Sequence, residues 1–65
     1  MAARKEVHTV PTDKGWANRA KNYRRISNHR TKALAEKAGR KVAMARGAIH
    51  VIHKSDGTIA AKRSY

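Results

Sequence analysis

With 65 residues, 40% hydrophobic content and no cysteine, the chain is one small domain without room for a second core or a deep substrate cleft, and it can form neither a disulfide framework nor a thiolate metal site. Sixteen Lys and Arg against four Asp and Glu give a formal net charge of +12, which repels itself in a compact monomer and calls for a polyanion. The expectation is a non-enzymatic protein with no cofactor whose partner is nucleic acid, the alternative being an acidic protein partner, with room left for a homodimer.

Residues 1–6 read as a basic N-terminal arm carrying Arg4 and Lys5, ahead of a single α+β domain over 7–65. The opening MAARKEVHTV has no apolar stretch of signal-peptide kind, and no apolar run approaches a membrane span. A cytoplasmic protein without membrane contact is expected, nucleoid-associated if its ligand is DNA. Val7-His8-Thr9-Val10 is a β-branched run closed by Pro11, and Thr12-Asp13-Lys14-Gly15 supplies turn chemistry before a second strand, Trp16 to Ala20. In that hairpin Trp16 and Asn18 point to one side, Ala17 and Arg19 to the other. Trp16, the only indole, belongs in the core.

Lys21 to Arg30 admits two readings. Tyr23 to Ser27 can be a third strand with Ile26 inward and Tyr23 and Arg25 outward, or the segment is a polar loop leading into a helix. On the strand reading Arg19, Lys21, Tyr23 and Arg25 share a solvent face, and cations interleaved with an aromatic suit a phosphate-tracking surface.

Thr31 to Arg46 is the one long periodic run, with Leu34, Ala35, Ala38, Val42 and Ala45 in a single arc at helical spacing. Thr31 is the expected N-cap and Gly47 the left-handed C-terminal residue. Leu34 is the expected main knob into the sheet, with Met44 on the far face. Ile49 to His53 is nearly continuous in β-formers, as a central strand would be. Lys54-Ser55-Asp56-Gly57 turns the chain, and Thr58 to Arg63 returns as a strand carrying Ile59. The expected fold is α+β: a small antiparallel sheet from two hairpins, with a further strand if 23–27 is one, packed on one helix in the order ββ(β)αββ. Its core would comprise Val7 or Val10, Trp16, Ile26, Leu34, Ala38, Val42, Ile49, Val51 or Ile52, and Ile59.

His50 and His53 invite a metal reading, with His8 as a third ligand. Residues three apart on a strand point to opposite faces, so no metal site is expected. Glu6, Asp13, Glu36 and Asp56 sit in separate elements, and no nucleophile, base and acid come in catalytic order. Single-strand stacking wants several exposed aromatics, and only Trp16, Tyr23 and Tyr65 are present. Phosphate contacts to duplex DNA or RNA are therefore expected, from Arg19, Lys21, Tyr23, Arg24, Arg25, Arg30, Lys32, Lys62 and Arg63.

Taken together, His8-Thr9-Val10-Pro11, Gly15-Trp16, Thr31-Lys32-Ala33-Leu34-Ala35, Val51 to Ile59 and Ser64-Tyr65 resemble a family of short bacterial proteins catalogued as a domain of unknown function, family twenty-one eighty-eight. The resemblance runs from Val7 to Tyr65 and rests most on V-I-H-x-x-D-G-x-I combined with G-W near the start. It implies the order hairpin, helix, hairpin, and no assigned activity. Asn18 departs from it, standing where an apolar residue is expected. So does Leu34, in place of the acid that would complete a capping box. A second similarity covers Trp16 to Ala35: strand, basic strand, then T-K-x-x-A opening a helix, as in the arm-type DNA-binding domain of phage integrases. That likeness implies a sheet lying in the DNA major groove.

Overall fold

The computed structural model describes residues 5–20 and 25–65, Arg25 by its backbone alone. Strands β1 (Glu6–Thr12), β2 (Gly15–Ala20) and β3 (Arg25–His29) precede helix α1 (Lys32–Arg46), and β4 (Ile49–His53) and β5 (Ile59–Ser64) follow. They form one five-stranded sheet in the order β3-β2-β1-β4-β5. The ββ(β)αββ order holds, and the third strand exists, described over Arg25–His29. Lys21, Tyr23 and Arg24 lie outside the described residues, as do Met1 to Arg4.

Within each hairpin the strands are antiparallel, but the two hairpins join through a parallel pair, β1 with β4. Parallel neighbours need a long crossover, and β2, β3 and α1 supply it. Pro11 lies beyond Thr9↔Ile52, the last β1–β4 pair, on a stretch of β1 that β4 no longer flanks. A residue without an N–H is tolerated there. At the end of the hairpin Gly15 has φ +146°, and a Cβ on it would come within 2.5 Å of the His29 carbonyl. The close approach of β3 requires glycine at that point.

Helix α1 begins and ends where its caps dictate. Thr31 Oγ1 accepts from the Leu34 N–H at 3.2 Å, and Gly47, left-handed at φ 61°, donates its N–H to the carbonyls of Ala43 and Met44. No helix among the described residues is long and apolar enough to cross a membrane.

The buried helix face shares Ala35 with the expected arc, and Val42 packs against the core, but the face departs from that arc at Leu34 and Ala45. Ala35, Gly39 and Ala43 are buried, whereas Leu34 is 53% exposed and Ala45 is also exposed. A Cβ on Gly39 would lie 2.5 Å from Asn18 Oδ1, 2.7 Å from His50 Nε2 and 2.9 Å from Thr9 Oγ1. The helix backbone thus rides directly on the sheet, a contact that three small residues one turn apart allow and a leucine would prevent. Ile59, also expected inside, is 52% exposed because it lies on the edge strand β5. Met44 is exposed at 58%, on the far face as expected.

Of the alternatives left open by sequence, Val7 and Val51 are the fully buried valines. Ile26 is the extra residue of a β-bulge between β2 and β3, and it packs against the cluster of Val7, Ala43 and Ala48. Trp16 is half-buried, with Lys32 Nζ 5.5 Å from its ring centroid.

Candidate functional site

Under the helix the sheet carries a polar ladder where a purely apolar core would be expected. Thr9, Asn18 and His50 are buried side by side on β1, β2 and β4. Asn18 Oδ1 accepts from Thr9 Oγ1 at 2.6 Å, and Asn18 Nδ2 donates to the Ala35 carbonyl at 2.9 Å and to Ser27 Oγ at 3.1 Å. The Thr9 hydroxyl has given its hydrogen to Asn18, so it can only accept from His50 Nε2, 2.7 Å away. Ser27 Oγ also meets His29 Nε2 at 2.9 Å. The chain His29, Ser27, Asn18, Thr9, His50 therefore crosses four neighbouring strands. It explains how Asn18 keeps the inward register at a position where an apolar residue is expected: its amide hydrogens and its carbonyl all find partners. Burial pushes the His50 pKa below its usual value; Glu36 opposes that shift, and Arg40 and His8 add to it.

The opposite face of the sheet carries a second constellation. His8 Nε2 meets Glu6 Oε1 at 2.8 Å, His8 Nδ1 meets His53 Nε2 at 2.9 Å, and His53 Nδ1 meets the Gly57 carbonyl at 3.0 Å. His50 and His53 thus lie on opposite faces, as their spacing requires. Among the described residues no group of three or more His, Cys, Asp or Glu is gathered as metal ligands.

The cations named from sequence divide among several surfaces. Arg19 pairs with His8, and Lys62 with Val51, which sets both on the sheet face away from the helix. Arg25 pairs through its backbone with Arg19. Arg63 pairs with His50 and so belongs to the helix side, because consecutive strand residues alternate. Arg30 is exposed just ahead of the helix. Lys32 is engaged internally, over Trp16 and 3.8 Å from Glu36. Lys21, Tyr23 and Arg24 are outside the described residues.

Arg63 is brought instead to two helix cations that the sequence expectation left out. Helix α1 packs on β1, β2, β3 and β4. Between it and β5 runs a groove of about 490 Å³. Ala33, Glu36, Lys37 and Arg40 form its helix wall, His50, Ile52 and Ala61 its floor, and Arg63 and Tyr65 its far side. The signal in the sequence was the i, i+3, i+4, i+7 spacing of Ala33, Glu36, Lys37 and Arg40, which puts them on one side of a helix. Nothing local, however, ties them to Arg63.

No curated protein and no solved structure matches the chain. A family model does match, over residues 7–65, and the chain therefore belongs to DUF2188, the family described as an uncharacterized protein conserved in bacteria.

Proposed function

We propose that this is a small, non-enzymatic nucleic-acid-binding protein that meets the phosphates of duplex DNA or RNA, in the cytoplasm and at the nucleoid if the duplex is DNA. One observation carries the reading: acids are far too few to match the positive charge. Sixteen Lys and Arg face four acids. Glu6 is engaged by His8 and Asp56 by the N–H and hydroxyl of Thr58. Among the described residues Lys32 alone of the Lys and Arg side chains lies within 4.0 Å of a carboxylate. A surface of unneutralised cations gains most from a polyanion, whose condensed counter-ions are released on binding.

The test is recovery of the tagged protein from cell lysate with and without nuclease. Nucleic acid should accompany the protein and disappear on digestion. Recovery of an acidic protein that persists after nuclease, with no nucleic acid beforehand, would put the acidic-partner reading in its place.

A further inference from the structure

A convex surface spreads its cations apart, but the groove between α1 and β5 sets them face to face. Lys37 and Arg40 come from the helix and Arg63 from the strand, so two elements contribute charge to one trench. Glu36 is the single acidic side chain among the lining residues, and Lys32 already sits 3.8 Å from it. Ile52 and Ala61 in the floor are apolar. A cleft in which one charge sign predominates, with apolar residues in its floor, focuses its field and concentrates counter-charge.

We propose that this groove seats one sugar–phosphate strand of a nucleic-acid duplex, with Lys37, Arg40 and Arg63 on the phosphates and the sugars over Ile52 and Ala61. The assignment rests on the nucleic-acid reading above and names the surface that performs it. A strand of a duplex fits better than a free single strand. Tyr65 is the only tyrosine or tryptophan among the lining residues, whereas a stacking platform uses several. The groove volume of about 490 Å³ suits sugar–phosphate units of one strand, not a whole duplex, whose bases remain outside while one backbone ridge enters.

The experiment compares two charge-matched double variants for binding to a labelled duplex of mixed sequence. One removes a cation from each wall, Lys37→Gln with Arg63→Gln. The other, Lys14→Gln with Lys54→Gln, removes two exposed cations from the hairpin turns. Thermal midpoints of both are measured first, to separate folding from binding. The groove variant should bind about 30-fold more weakly near 0.15 M salt, and its log K against log salt slope should be shallower by about 1.8, the counter-ion values for two phosphate contacts. The turn variant should fall well short of both changes.

A second measurement locates the ligand on the unmodified protein: on addition of duplex the Ile52 and Ala61 methyl resonances should shift, while those of Val10 and Ala17 on the opposite face should not. If the unmodified protein binds duplex but the turn variant loses as much as the groove variant, the groove assignment falls and the nucleic-acid reading stands. If the unmodified protein binds no duplex, both fall. Equal shifts of the same methyls by poly-glutamate at equal affinity, or a loss confined to single strands, would also overturn the assignment.

Discussion

His8 and His53 meet head to head. Their facing nitrogens are 2.9 Å apart and their ring centroids 5.2 Å apart, a difference of about two ring radii, so the two nitrogens lie nearly on the line joining the rings. The outer nitrogens face Glu6 Oε1 and the Gly57 carbonyl, so the two rings together tie β1 to the β4–β5 turn.

That bond should appear as coupling. In a double-mutant cycle with His8→Phe and His53→Phe, the stability losses should fail to add by about 0.5–1.5 kcal/mol, the net worth of one hydrogen bond. Additive losses would mean that the rings act independently.

The contact between Gly39 and Asn18 makes an opposite pair of substitutions informative. Gly39→Ala improves helix propensity by about 1 kcal/mol. It also places a methyl 2.5 Å from Asn18 Oδ1. Overpacking of about 1–3 kcal/mol should prevail, so the variant should be destabilised in urea unfolding. Leu34→Ala, at a position 53% exposed, should stay within about 0.5 kcal/mol of the parent. A stabilised Gly39→Ala, or a Leu34→Ala loss of several kcal/mol, would mean that the helix presents a different face to the sheet.

The same contact shows where sequence reasoning reached its limit. Caps, turns and strand β4 are local, and Thr31, Gly47 and Ile49–His53 took the expected places. The buried helix face departs from the expected arc at Leu34 and Ala45 because apolar size favours Leu34, whereas close packing on a polar ladder favours Ala35, Gly39 and Ala43. No local signal announces that Asn18 will find three partners drawn from β1, β3 and α1. The candidate site shares this dependence on long-range pairing. Lys62 and Arg63 are neighbours in the chain yet face opposite sides of the sheet, and Arg63 joins Lys37 and Arg40 only through the β4–β5 register.

His50 should make the fold sensitive to acid. In the unfolded chain it takes a proton near pH 6.5. In the fold, burial lowers its pKa. Between those two values the unfolded state binds more protons, so His50 makes stability fall as pH drops below about 6.5 and adds no slope above it. Unfolding free energies of the parent and of His50→Gln, measured across that range, should diverge in slope, with the variant the flatter of the two. Parallel curves would show that His50 titrates alike in both states.

If the excess cations serve a nucleic-acid backbone, the affinity of the unmodified protein for a duplex must depend steeply on salt. Three groove cations on three phosphates require log K to fall linearly with log salt at a slope of about −2.7 or steeper, with similar values for duplexes of different sequence. A slope near zero, or no measurable binding at about 0.15 M salt, would contradict the claim and leave the charge to an acidic protein partner.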